Sequence, residues 1–106
     1  MKIRTPLLAV LALTGLAAAP VALADQAVAQ KAGCMACHSV DKKLVGPAFK
    51  DIAAKYKGQA DAMAKLSDKV RKGGSGVWGP IPMPPNPEAK ITDAELKTVV
   101  EWILKG

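Results

Sequence analysis

Both cysteines of the chain and its only histidine lie within five positions, inside the stretch Lys31 to Val40. Cys34, Cys37 and His38 form the pattern C-x-x-C-H. Two thiols and an imidazole at this spacing can bind a zinc ion, exchange disulfides or hold a haem. The rest of the sequence has to distinguish between these three chemistries.

Zinc and disulfide exchange both fit the surrounding sequence poorly. A structural zinc site takes four ligands, commonly from two separated pairs, and this chain has no second pair. A thiol–disulfide oxidoreductase with free Cys34 and Cys37 is the main alternative from another class of protein. Its motif typically lies near a βαβ pattern, which this sequence lacks, and it leaves His38 unexplained.

The third chemistry is covalent haem attachment, for which C-x-x-C-H is the signal. Cys34 and Cys37 are three residues apart, so that both thiols point the same way on a helical turn and can form thioethers with two vinyl groups. His38 follows Cys34 by four residues, and its imidazole can therefore lie beneath the iron. We predict one covalently bound haem c with His38 as an axial ligand.

A low-spin electron carrier needs a second axial ligand, and methionine is one standard choice. The chain has no other histidine. Met1 lies in the N-terminal leader, Met35 lies inside the attachment turn, and Met63 falls in a helical apolar stripe typical of a core residue. Met83 lies among Pro82, Pro84 and Pro85, which reduce the freedom of the unfolded loop. We predict Met83 as the second ligand, and a haem enzyme or sensor with Met83 detached stays open as an alternative.

Four short helices are predicted to position these residues. Apolar side chains recur at helical spacing, and Thr92 to Glu95 fits a capping box at the start of the last helix. The helices are expected at about residues 26 to 33, from soon after Pro47 to Tyr56, from about Asp61 to Lys72, and from Thr92 onward. No strand is expected. The loop GGSGVWGPIPMPPNP should be extended and stiff, because prolines exclude helix and central strand.

The first 24 residues are typical of a cleaved secretory signal peptide. A basic start precedes an apolar run from Leu7 to Leu23, and Ala22-Leu23-Ala24 is a pattern that signal peptidase accepts. The alternative is an uncleaved membrane anchor. Cleavage after Ala24 leaves one domain, residues 25–106, with 13 basic and 9 acidic side chains and a charge of +4. These 82 residues are few for a self-sufficient core, which favours a large apolar cofactor in its middle.

Together with the haem motif, the segments VGPAFKDIAAKY, GVWGPIPMPPN and EWILKG resemble the small bacterial class I cytochromes c of the c8 group, the cytochrome c-551 type. The resemblance covers essentially Asp25 to Gly106. It implies an all-α fold of four short helices wrapped around one covalently bound haem. It also implies Cys34 and Cys37 as the thioether attachments, with His38 and Met83 as the axial ligands.

Three further residues receive roles from this resemblance. The carbonyl of Pro47 would accept the proton on the far nitrogen of the haem histidine. Trp78 would donate to a haem propionate, and Asn86 would donate toward the methionine sulfur. Two features depart from the family pattern. Lys69 stands where members often carry an arginine near the propionates, and the segment Pro87 to Ile91 looks slightly longer than usual.

With both axial positions filled, no coordination site is open to a substrate, which argues for outer-sphere electron transfer and against an enzyme. We predict a soluble, monomeric, periplasmic electron carrier. The resemblance implies that it takes electrons from a membrane quinol-oxidising complex or another donor and passes them to a terminal reductase, such as a nitrite reductase or a cytochrome oxidase. Spread lysines would steer redox proteins with acidic docking surfaces, and a nucleic-acid partner is not expected.

Overall fold

The computed structural model describes residues 21–106, and within that part of the chain the predicted all-α class is confirmed. The helices are α1 (Val21–Lys31), α2 (Phe49–Tyr56), α3 (Ala62–Lys72) and α4 (Asp93–Lys105), and a short 3₁₀ turn covers Cys34–Ala36. No helix of the described segment is long and apolar enough to cross a membrane.

The first helix differs from its predicted bounds. Within the described residues it covers Val21–Lys31, whereas the sequence predicted about residues 26 to 33. The Ala-rich sequence favours helix across the predicted cleavage bond after Ala24. The C-terminal bound is earlier because Gly33, at φ 84°, takes a left-handed conformation that a helix cannot continue through. Most of the predicted signal peptide lies outside the described residues.

The last helix is the packing partner of the other three. Thr92 Oγ1 accepts from the Glu95 N–H at 3.2 Å, and Glu95 Oε1 accepts from the Thr92 N–H at 3.1 Å, so the predicted capping box is present. From this start α4 contacts α1, α2 and α3. Its buried face consists of Leu96, Val99, Val100 and Ile103.

Small and large apolar residues from the other helices complete the core around α4. Ala29 of α1 and Ala32, which directly follows α1, are buried, and their small size lets this segment approach α4 closely. Phe49 and Ile52 come from α2, and Leu66 comes from α3. The predicted stripes of α2 and α3 therefore do face inward, and partly buried Met63 packs against this core, as the sequence predicted.

The proline-rich loop contains a small β-hairpin, and the expectation of no strand was wrong. β1 (Gly74–Gly76) pairs antiparallel with β2 (Gly79–Met83), with Gly76 opposite Gly79 and Gly74 opposite Met83. The strand forms because prolines occupy alternate positions, which leaves Ile81 and Met83 with N–H groups, and because a two-stranded sheet has only edge strands. The loop is extended, as predicted, but it is also folded back on itself.

We expect Thr92→Ala to lower the free energy of unfolding by about 1 kcal/mol, because the first turn of α4 loses its side-chain acceptor. Denaturant unfolding of the haem-loaded protein measures this loss. Thr98→Ala is the matched control, since the same atoms are removed from the helix interior, where alanine is the better helix former. Equal losses at the two positions would contradict a capping role for Thr92.

The capping box also predicts a pH dependence. Hydrogen bonding to Thr92, first through its backbone N–H, lowers the pKa of the Glu95 carboxyl, with a smaller contribution from Lys31. A lowered folded-state pKa means that the stabilisation is present above the unfolded pKa, near 4.5, and is lost as the pH falls through the folded value. The stability difference between the wild type and Glu95→Gln should therefore shrink in acid. A difference that is constant from pH 7 to pH 3 would show that the carboxylate charge has no part in the cap.

Candidate haem-binding site

The C-x-x-C-H motif forms a single tight turn immediately after α1. Gly33 redirects the chain into the 3₁₀ turn, and the N–H groups of Cys37 and His38 both donate to the carbonyl of Cys34, at 3.2 and 3.0 Å. The two thiols are half-buried and line the same cavity. The turn thus brings the three residues of the motif to one wall, as the spacing predicted, although the turn is 3₁₀ and is separated from α1.

The environment of Cys34 is unlike that of a reactive thiol. Burial raises the pKa of Cys34, and the nearby charge of Lys90 only partly opposes this. Reactive cysteines in oxidoreductases have a lowered pKa, because the thiolate is the nucleophile. The burial of Cys34 is therefore the opposite of what a thiol–disulfide oxidoreductase requires of its nucleophile.

The imidazole of His38 is oriented by one short hydrogen bond. His38 is 8% exposed, and its Nδ1 lies 2.7 Å from the carbonyl oxygen of Pro47. A carbonyl oxygen only accepts, so Nδ1 must hold the proton and donate it. In a neutral imidazole the lone pair is then on Nε2, the nitrogen that a metal would take. This is the contact that the family resemblance implies for Pro47.

Two neighbours of Pro47 hold the same ring in place. The ring of Phe49 stacks on that of His38, with centroids 5.1 Å apart and planes inclined by 21°. Gly46 approaches so closely that a Cβ there would lie 2.6 Å from His38 Cε1 and 2.9 Å from Nδ1. The sequence analysis gave Gly46 no role. The feature of the sequence that could have indicated a role is its position, since Gly46 directly precedes Pro47, the residue that the resemblance implies to orient His38.

Met83, at the end of β2, lines the same cavity as the two thiols and His38. The cavity measures about 310 Å³. Its walls are mainly apolar and include core residues of α2, α3 and α4 together with Val77 and Ile81 of the hairpin segment. An imidazole with a free Nε2, a thioether and two thiols in one apolar cavity are a donor set that fits haem c.

Trp78 and Lys69 also line this cavity. Trp78 forms the hairpin turn with Val77, and it is 43% exposed. The ammonium of Lys55 lies 5.5 Å from the centroid of the Trp78 ring, within cation–π range. The positive charge of Lys55 therefore lies beside the indole of Trp78, which the resemblance implies as a hydrogen-bond donor to a haem propionate.

Asn86 does not take the hydrogen bond that the resemblance implies. It is 5% exposed, and its Nδ2 donates to the carbonyls of Val70 and Pro84, at 3.0 and 3.1 Å. Both protons of the amide are thereby engaged, and neither goes to the sulfur of Met83. The physical reason is that the last carbonyls of α3 have no partner within the helix, and Asn86 supplies one.

The family model described as Cytochrome c matches residues 24–106 of this chain. The chain belongs to the cytochrome c family. It is 53% identical over 94 residues to cytochrome c-551 of Allochromatium vinosum, a match covering 89% of this chain and 98% of that protein. It is 48% identical over 101 residues to cytochrome c-552 of Nitrosomonas europaea, covering 95% and 96%.

Solved structures of cytochromes c agree with the fold described above. The crystal structure of wild-type Nitrosomonas europaea cytochrome c552 superposes with a TM-score of 0.70 at 52% identity, over 74% of this chain and 95% of that one. The class 1 cytochrome MtoD from Sideroxydans lithotrophicus ES-1 gives a TM-score of 0.64 at 34% identity, over 77% and 91%.

Family membership establishes the cofactor and the general activity. The protein is a bacterial c-type cytochrome, an electron carrier that holds haem c covalently, and Cys34 and Cys37 fit its attachment motif. The class I cytochrome c fold predicted from the sequence is confirmed. The zinc and thiol–disulfide alternatives are excluded by the same result.

We expect Gly46→Ala to displace the imidazole of His38, because the added methyl overlaps the ring and the backbone there cannot move freely beside Pro47. Such overpacking costs typically about 1–3 kcal/mol of stability. The visible spectrum and the reduction potential of the haem-loaded variant should change together with its unfolding midpoint.

Gly58→Ala is the control for Gly46→Ala. Gly58 has φ 78° with nothing within 4 Å of an added Cβ, so its substitution costs about 1–2 kcal/mol through the backbone alone. The spectrum of that variant should stay unchanged. Identical spectra for both variants would show that Gly46 does not position His38.

Proposed function

We propose that this protein is a soluble periplasmic carrier of single electrons whose iron is ligated by His38 and Met83. The observation that carries the proposal is that the oriented imidazole of His38 and the thioether of Met83 line one apolar cavity with both attachment cysteines. When bound, haem c supplies the one-electron exchange between ferrous and ferric iron.

In this proposal His38 and Met83 fill both axial positions and leave none for a substrate. The protein is then a carrier and not an enzyme, a gas sensor or a peroxidase. The hydrogen bond to Pro47 strengthens the basicity of His38 and fixes its plane. Met83 is a soft ligand that raises the reduction potential.

The apolar walls act in the same direction as Met83. Burial in apolar surroundings disfavours the additional charge of the ferric state, because charge is costly in a medium of low polarity. Val77 and Ile81 lie beside the cavity and are half or more exposed, so that they limit the access of water at its edge. A carrier built in this way changes oxidation state with little movement of its ligands.

The partners that we propose are redox proteins with acidic docking surfaces. Residues 25–106 carry 13 basic and 9 acidic side chains, a formal charge of +4, and Lys43 and Lys69 line the cavity. Positive charge at the edge where electrons leave would speed the encounter with acidic partners, more strongly at low salt. A quinol-oxidising complex or another cytochrome is proposed as donor, and a nitrite reductase or a cytochrome oxidase as acceptor. The carrier itself is proposed to be a monomer.

The proposed location rests on the predicted signal peptide. An apolar leader that ends in Ala22-Leu23-Ala24 directs export and removal. Covalent haem attachment outside the cytoplasm agrees with it. Intact mass of the exported protein would test cleavage after Ala24 and the addition of one haem together.

The axial ligands are tested by the visible spectrum of the exported protein and of Met83→Ala, oxidised and reduced. We expect a low-spin c-type spectrum with a far-red ferric band from sulfur–iron ligation in the wild type. Met83→Ala should lose the band, bind carbon monoxide readily when ferrous and have a lower potential. Met63→Ala is the matched control, since the same side chain is removed from the core, and it should keep the band at reduced stability.

Two outcomes would overturn the ligand assignment. A wild type that binds carbon monoxide as fast as Met83→Ala would make Met83 a detachable group and favour an enzyme or a sensor. A far-red band that is lost in Met63→Ala and retained in Met83→Ala would show that Met63, and not Met83, is the ligand.

A further inference from the structure

Arg71 joins three parts of the chain that are distant in sequence. From the last turn of α3, its Nη1 donates to the carbonyls of Ile91 and Asn86, at 2.6 and 3.1 Å. Its Nη2 lies 2.6 Å from Asp93 Oδ1. The side chain is largely buried, at 22% exposed. It therefore ties the end of α3 to the loop after β2 and to the entry of α4.

The loop that Arg71 holds is the one that carries Met83. Asn86 lies three residues after Met83, and its N–H donates to the carbonyls of Val70 and Arg71, at 3.1 and 3.2 Å. The two residues between them are Pro84 and Pro85, which have no N–H and few accessible conformations. A displacement of Asn86 should therefore also displace Met83, because the two prolines between them can absorb little of the movement.

On its other side, Met83 is held by the hairpin. Gly74 pairs with Met83 across the two strands. The preceding residue, Gly73, has φ 68° and lies so close that a Cβ there would collide with the Met83 carbonyl. The backbone of Met83 is therefore fixed by β1 before it and by the Asn86 anchor after it, and Arg71 is the side chain that braces this anchor.

The shape of the guanidinium matters for this brace. Arg71 reaches two carbonyls and a carboxylate at once, because its donors are fixed in a planar fork. Hydrogen bonds from an ionised donor are stronger than neutral ones. A lysine ammonium is a point charge without this fork, and glutamine carries no charge. The carbonyls of Asn86 and Ile91 also bracket residues 87–90, which belong to the segment Pro87 to Ile91 that looks slightly longer than usual for the family.

We propose that Arg71 is a positioning residue for Met83, which it keeps directed at the iron by clamping Asn86 and the entry of α4 to the end of α3. The proposal rests on the proposed ligation by Met83. A thioether is a weak ligand, so its retention depends on how rarely the loop moves away. The detached population sets how readily an external ligand binds, because only that population has an open position.

A merely structural role would lower stability without loosening Met83, so the test compares ligand exchange with stability. The variants are Arg71→Gln, Arg71→Lys and Asp93→Asn, prepared as haem-loaded protein. Gly58→Ala is the control, because it lowers stability through the backbone alone, at a position with nothing within 4 Å of an added Cβ and outside the contacts of Arg71. Imidazole binding to the ferric form is followed by loss of the far-red band, and unfolding midpoints are measured in parallel.

We expect Arg71→Gln to bind imidazole about tenfold more tightly than the wild type, the change that corresponds to loss of one charged hydrogen bond. Arg71→Lys should lie between the two, and Asp93→Asn should change binding less, since both carbonyl contacts survive. Gly58→Ala should stay within about twofold of the wild type despite its lower stability, because each factor of ten needs about 1.4 kcal/mol at the loop itself.

If imidazole binding by Arg71→Gln or Arg71→Lys changes with stability in the same proportion as it does in Gly58→Ala, the positioning role is refuted. Arg71→Lys and Asp93→Asn keep the test decisive where Arg71→Gln fails to fold. The two proposals fail differently. A wild type without a far-red band refutes ligation by Met83 and the role of Arg71 together, whereas a wild type with the band and insensitive Arg71 variants refutes only the latter.

Discussion

The hydrogen bond from His38 Nδ1 to the Pro47 carbonyl is the interaction on which the site depends, since it fixes both the tautomer and the plane of the imidazole. Three of the four residues from Gly46 to Phe49 contribute to this orientation. Gly46 leaves room for the ring, Pro47 presents the acceptor, and Phe49 begins α2 and stacks on the ring. The first turn of a core helix is thereby also a wall of the haem site.

The two proposed ligands are held in contrasting ways. His38 is fixed by neighbours within about ten residues along the chain, and its turn is closed by hydrogen bonds to Cys34. Met83 depends on contacts made at long range, to β1 on one side and, through Asn86, to the end of α3 on the other. This difference agrees with the chemistry, because an imidazole is a strong ligand attached beside two covalent links, whereas a thioether has neither advantage.

The features that the sequence could predict are those whose physical cause is local. The haem motif, the capping box at Thr92 and the end of the third helix at Lys72 each depend on residues within one helical turn, and all three are present in the structure. The end of α1 was missed because a single left-handed glycine, Gly33, outweighs the helix propensity of its neighbours.

The missed contacts are those between segments that are distant in the chain. No contact of Arg71 was predicted, and its partners lie 15 to 22 residues away in the chain. Nothing in the local sequence distinguishes it from Lys69 or Lys72. Asn86 was given a role by resemblance, and the free carbonyls at the end of α3 compete for its amide. The hairpin was not predicted because the loop was expected to be extended but unpaired, although alternate positions of an edge strand tolerate proline.

The cavity and the core share the same residues, which makes stability and function inseparable in so small a domain. Ile52, Leu66 and Val100 belong to the buried cluster and also line the cavity. An apolar cofactor between them would complete a core that the helices alone leave open, and this agrees with the shortage of buried surface expected for a short chain. The same apolar contact disfavours ferric charge. A substitution that loosens this wall should therefore lower the reduction potential and the stability together, because one set of contacts determines both.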